Sequence, residues 1–169
     1  MIKELNDIIE EDRKVNGSNK RTISYLRYYR KAQWYKNKSK YRYLLNKIVL
    51  TLRFRYTGIE LKETVAVGKG LRLPHLQGII VSDYAVIGDD CTIYHQVTIG
   101  ANEHKLNYQS APHIGNRVYI GAGAKLIGNI CIGNDVIIGA NAVVTKDVPD
   151  GMTVVGINKH IVTYSERIP

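Results

Sequence analysis

The chain has 169 residues, of which 44% are hydrophobic and 23% charged, and its net charge is +9. That length and balance suit a soluble globular domain with an appendage and exclude a disordered chain. The start, MIKELNDIIEEDRK, lacks the apolar run of a secretory signal, and the most apolar stretch, IVLTLRF, is too short to cross a bilayer.

The charge is uneven along the chain. Residues 1–57 hold 15 Lys/Arg and 5 Asp/Glu, whereas residues 58–169 hold 9 and 10. Seven of the 12 tyrosines and the single tryptophan, Trp34, also fall before residue 58. Leu44, Ile48 and Leu52 recur every four residues with Leu45 and Val49 beside them, which predicts a helix whose apolar side packs on the rest of the chain or on another subunit. Residues 1–57 therefore read as a short, basic α-helical N-terminal arm. Its cationic side suits an anionic polysaccharide or a membrane surface. Nothing in the remainder needs nucleic acid, and none is expected.

From residue 58 to the C-terminal tail at 169 a different rule applies. Ile114, Ile120, Leu126, Ile132, Ile138 and Val144 follow one another every six residues, and the same phase runs through Val81, Ile87, Ile93 and Ile99. Two residues before the later members stand Val118, Ala124, Ile130, Val136 and Ala142. A helix needs a period near 3.6 and a strand one near 2, so six fits neither alone. It fits short strands joined by tight turns, with Gly, Asn and Asp at the turns IGDD, IGNR and IGND. The predicted fold is an all-β main domain, a parallel β-helix with three strands per coil of about 18 residues. Cys91 and Cys131 give no disulfide framework and read as core or near-core residues in a reducing compartment.

Two breaks in register stand out. Leu73 and Val81 are eight residues apart, which projects His75 on a turn. Ile99 and Ile114 are fifteen apart where twelve keeps phase, and the polar excursion ANEHKLNYQSA carries His104. Polar loops on a regular solenoid mark a binding site. A neutral imidazole is available near pH 7 to take a proton from a hydroxyl, so a projecting histidine is a candidate general base. His95 points to the outer surface two residues after the inward Ile93, and His113 directly precedes Ile114, so both are candidates for lining the site. His160 reads as a surface residue, and no histidine pair has metal-ligand spacing, so no metal is expected.

Three stretches carry a family resemblance: GKGLRLPHLQGIIVSDYAVIGDDCTIYHQVTIG, IGNRVYIGAGAKLIGNICIGNDVIIGANAVVTKDVP and VVGINKHIV. Over residues 58–163 the chain resembles the left-handed β-helix acyltransferases of hexapeptide repeats. It is most similar to serine O-acetyltransferases and the related acetyltransferases of polysaccharide gene clusters. The resemblance implies a left-handed helix, acetyl-CoA as co-substrate, direct acetyl transfer, a cytoplasmic homotrimer and sites between adjacent prisms. It makes His75 the catalytic base and Glu60, fifteen residues earlier, the carboxylate that steers it. It gives Gly100, Ala101, Ala122, Ala140 and Lys146 to the cofactor, and leaves His95, His113 and Arg117 for the acceptor. The family has an aspartate where this chain has Pro74, and an arginine–histidine pair where it has Ser110 and Ala111. A zwitterion needs opposite charges to meet it, so the expected acceptor is a sugar hydroxyl of a surface polysaccharide or its precursor. L-serine is the alternative, and a non-catalytic β-helix assembly module is the alternative of another class.

Overall fold

A computed structural model describes residues 2–102 and 110–162; His104 lies outside the described residues. Three helices come first: α1 (Ile2–Asn16), α2 (Lys20–Tyr35) and α3 (Lys40–Thr57). The Asn19 side chain caps α2 by accepting from the Thr22 N–H at 3.2 Å. Gly58 closes α3 in the left-handed region at φ 63°, with its N–H on the Phe54 carbonyl at 2.8 Å, a conformation in which a Cβ is costly.

Short strands then wind around three faces of a prism. Face A stacks β2 (Ile80–Val81), β5 (Thr98–Gly100), β8 (Lys125–Ile127) and β11 (Val143–Val144). Face B stacks β1 (Ala66–Val67), β3 (Val86–Ile87), β6 (His113–Ile114) and β9 (Cys131–Ile132). Face C stacks β4 (Thr92–Ile93), β7 (Tyr119–Ile120), β10 (Ile137–Ile138) and β12 (Met152–Val155), and β13 (Lys159–Val162) adds an antiparallel edge. The chain runs from A to B to C and back to A one coil higher. All strand pairs but the last are parallel.

The six-residue period is the length of one side of this prism. Ile114, Ile120, Leu126, Ile132, Ile138 and Val144 are all at most 3% exposed, and so are Val118, Ala124, Val136 and Ala142. Inward residues alternate with outward ones, so Cys91 is buried two residues before Ile93 while Cys131, one before Ile132, is exposed. Cys131 is thus not a core residue. Burial pushes the Cys91 thiol up to about 11. At the B-to-C turn, Asp89, Asn116, Asn134 and Asp150 form a ladder. Each side-chain oxygen accepts the backbone N–H of the coil before it, from Lys69, Asp89, Asn116 and Asn134 at 2.7–2.9 Å. This is the physical content of the IGDD, IGNR and IGND motifs.

Ile99 on face A is followed on face B directly by Ile114. One side of the prism takes six residues, so the second excursion carries nine extra residues, not the three that its phase suggests.

The arm is an end cap. A β-helix leaves the backbone groups of its first coil without a partner coil on one side. Side chains of α1 and α2 meet them. Asn16 Nδ2 donates to Leu71 O at 2.8 Å and Asn16 Oδ1 accepts from Leu73 N at 3.0 Å. Thr22 Oγ1 donates to Leu73 O, Asn19 Nδ2 to Pro74 O, Tyr25 Oη to Leu61 O and Tyr29 Oη to Val65 O, at 2.8–3.2 Å. Asp12 accepts from Leu71 N at 3.0 Å and pairs with Arg30 at 2.8 Å; Arg30 also donates to Val67 O at 2.7 Å. Tyr25, Leu26 and Tyr29 join the β-helix core.

The apolar stripe expected to pack in α3 does not do so within the chain. Leu44, Leu45, Ile48 and Leu52 are 51%, 48%, 48% and 53% exposed. The helix rests instead on its opposite, mixed side, through Tyr43, Asn46, Leu50 and Arg53.

Candidate active site

The edge where face C turns into face A gathers much of the expected site. His75 and His95 each stand two residues after an inward residue of that face, Leu73 and Ile93. Ala122 and Ala140 stand two after Ile120 and Ile138. The coils are in register here. Gly123 N donates to His95 O at 2.9 Å and Asn141 N to Ala122 O at 2.8 Å. Coils lie about 4.8 Å apart, so His95, Ala122 and Ala140 form one column with His75 at its foot.

The two extra residues explain the projection of His75. The Gln96 N–H bonds Gln77 O at 2.8 Å, so Gln77 fills the place in the ladder and His75 bulges outward. Its ring meets the His95 ring edge to face, with centroids 5.4 Å apart at 81°, and the Tyr94 ring at 6.2 Å. Tyr94 packs on Tyr119 at 5.3 Å. Partial burial and the Tyr94 hydroxyl raise the Tyr119 phenol above its ordinary value. His95 Nδ1 is buried with no hydrogen-bond partner, alone in this among side-chain atoms of the described residues. Leaving such an atom unsatisfied costs about 1–3 kcal/mol.

Next to the ring, a cavity of about 480 Å³ separates the His75 loop from the arm. Asn19, Arg21, Arg53 and Tyr56 line it with His75 and Gln77. The sequence gives no sign of these arm residues, because their approach depends on α2 and α3 folding back over the first coil. Tyr94 and Tyr119 are legible only as outward positions of the repeat.

Glu60 does not hold His75 in this structure. Among the described residues no hydrogen bond joins the two, and they line separate cavities. Glu60 alternates with the inward Ile59 and Leu61 and bridges to Ile80, so its side chain leaves face A, while His75 leaves the corner.

The other candidates lie elsewhere. Gly100, Ala101 and Lys146 follow the inward Ile99 and Val144 and sit on the far edge of face A, where it turns to face B. The five residues expected to hold the cofactor thus flank face A, divided between its two edges. His113 points outward from face B. Arg117 sits at a B-to-C turn, exposed, with both its Nε and Nη2 on the Asp135 carboxylate at 2.7 Å. Neither His113 nor Arg117 reaches the His75 cavity within one chain. Among the described residues no cluster could hold a metal ion, and no helix is long and apolar enough to cross a membrane.

A three-sided prism of stacked coils with six residues to a side defines a class, the hexapeptide-repeat proteins. Residues 111–146 match the model of that repeat, described as bacterial transferase hexapeptide (six repeats). The chain is a hexapeptide-repeat protein of serine O-acetyltransferase-like type, with a left-handed β-helix. It is 48% identical over 107 residues to a serine acetyltransferase of Helicobacter pylori, covering 63% of this chain and 62% of that one. It is 41% identical over 133 residues to one of Staphylococcus epidermidis, covering 79% and 61%. The chain therefore spans about three fifths of these relatives. A crystal structure of the Neisseria gonorrhoeae serine acetyltransferase superposes with a TM-score of 0.81 at 27% identity, over 96% of this chain and 68% of that one. A match of that breadth takes in the helical arm.

Proposed function

We propose that the chain is an acetyl-CoA-dependent O-acetyltransferase with His75 as general base. The observation that carries this reading is the column itself: a projecting imidazole against His95, whose buried Nδ1 lacks a partner, beneath two alanines on one edge. The acetyl thioester of the co-substrate supplies the electrophile. His75 takes the proton of the acceptor hydroxyl and returns it to the departing sulfur. His95 and Tyr94 pack against the base and hold its ring.

Small side chains at Ala122 and Ala140 leave a shallow step along the edge above His95, which suits a thin pantetheine arm. The fit is tested by filling it. Ala140 is exposed, so Ala140→Trp is expected to leave the melting temperature unchanged and to raise KM for acetyl-CoA at least tenfold, roughly 1.4 kcal/mol. An unaltered KM would remove this edge from the donor site.

Gly100, Ala101 and Lys146 lie across face A from this column, on the order of 20 Å away at strand rise. A homotrimer in which the C-to-A edge of one prism meets the A-to-B edge of the next would bring the two sets together. That favours a site shared between subunits, in a protein of the cytoplasm.

The names of the relatives favour L-serine as acceptor. A second reading, a sugar hydroxyl in a surface polysaccharide or its precursor, keeps one support: Pro74, Ser110 and the buried Ala111 supply no charge. The exposed apolar stripe of α3, flanked by Lys40, Arg42 and Arg55, is suited to peripheral contact with an anionic membrane. Thiol release from acetyl-CoA with L-serine, neutral sugars and no acceptor tests the assignment. Acceptor-dependent release is expected; its absence with every hydroxyl offered would leave the assembly-module reading.

A further inference from the structure

We infer that Arg21 and Arg53 of the arm form the acceptor subsite for a carboxylate, so that the preferred acceptor carries an anionic group beside its hydroxyl. This rests on the acetyltransferase reading and goes beyond it. The cavity between the arm and the His75 loop is bounded by two guanidinium residues and the candidate base, and its lining holds no Asp or Glu. Arg53 is held in place: its Nη2 donates to Ser24 Oγ at 2.9 Å, and its guanidinium lies over the Tyr28 ring at 5.5 Å. Its other guanidinium nitrogens make no hydrogen bond among the described residues. Arg21 is exposed and has no ion pair among the described residues. From Arg13 to Ile59 the chain contains 14 Lys/Arg and no Asp/Glu, so the wall of the cavity supplied by the arm has no carboxylate to neutralise it.

A guanidinium is matched in shape to a carboxylate, and two of them facing one cavity make that match selective against a neutral acceptor. The site meets a charge requirement that the sequence does not reveal. Ser110 and Ala111 offer no cation, yet α2 and α3 bring two. The same cavity offers nothing acidic to an ammonium group, so the carboxylate is the feature it selects. Both L-serine and an acidic sugar have one.

Two acceptor pairs separate charge from skeleton: L-serine against L-serinamide, and D-glucuronate against D-glucose. They are assayed with the wild type, Arg21→Gln and Arg53→Gln, with melting temperature as a control. In at least one pair the wild type is expected to favour the acid at least tenfold in kcat/KM. Each variant raises KM for the acid about 10–100-fold, the range of a lost hydrogen bond to a charged group, while KM for acetyl-CoA stays put. Arg21 has no side-chain partner to lose among the described residues, so its variant reports on the subsite even if Arg53→Gln unfolds. Equal use of acid and neutral acceptor by the wild type, or a preference that survives in Arg21→Gln, overturns the inference. The pair that shows the preference identifies the source of the carboxylate. Calorimetric titration of L-serine and D-glucuronate without acetyl-CoA reads the subsite apart from turnover. Saturable binding to the wild type that Arg21→Gln loses supports it even if no acetyl is transferred, and no saturable binding of either acid overturns it.

Discussion

His75→Ala is expected to lower kcat for acceptor-dependent thiol release about 1000-fold, within the range attributed to a positioned general base. The fold should not change, because His75 is exposed and its side chain makes no hydrogen bond among the described residues. A circular-dichroism melt within about 2 °C of wild type would make the rate loss chemical, since one kcal/mol moves a domain of this size by roughly 2–4 °C. A variant that kept a tenth or more of wild-type turnover would end the assignment of His75 as base. The result also bears on the neighbouring ring. His95 and not Glu60 touches His75, so the geometry at the base is set along the prism edge, one coil to the next.

The largest effect on stability is expected at the other end of the same loop. Asp12 and Arg30 are 2% and 3% exposed and pair at 2.8 Å beneath the first coil. Asp12→Ala strands a buried guanidinium and frees the Leu71 N–H, with an expected loss of about 3–5 kcal/mol. By the scaling above, the midpoint should fall on the order of 10 °C. Asp12→Leu with Arg30→Met removes both charges and should recover part of the loss. It cannot recover all of it, because Arg30 also donates to Val67 O and Gly68 O, which would lose their donor. Urea unfolding of the single and the double variant checks this. If Asp12→Ala melted within 2 °C of wild type, the pair would not be what closes the prism.

Both variants act on one mechanical unit. Leu71, Leu73 and Pro74 lead into His75, and their backbone groups are held by Asp12, Asn16, Thr22 and Asn19. The arm thus closes the open end of the β-helix and fixes the strand from which the base projects. Its polar residues are spent on the first coil, which leaves α3, resting on α2, to show its leucines to solvent.

Much of this protein is determined by its sequence. A period of six, with inward residues at fixed phase and Asn or Asp at the turns, admits few structures besides a three-sided prism, because each residue's contacts are with the next coil and repeat along the chain. The same local rule made the His75 projection legible: two residues too many between Leu73 and Val81 must leave the ladder somewhere. Where contacts are not periodic, the sequence was silent or misleading. The length of the second excursion follows from which face Ile114 joins, and phase alone cannot distinguish three extra residues from nine. Ala122 and Lys146 read as parts of one row, yet stand on opposite edges of a face, since a side six residues long separates two corners of similar composition. The stripe Leu44, Ile48 and Leu52 had the spacing of a buried face, but α3 packs on α2 through a different, mixed face, Tyr43, Asn46, Leu50 and Arg53. Only tertiary structure brought Arg21 and Arg53 to His75, because that approach depends on helices distant in sequence supplying the hydrogen bonds that the first coil lacks.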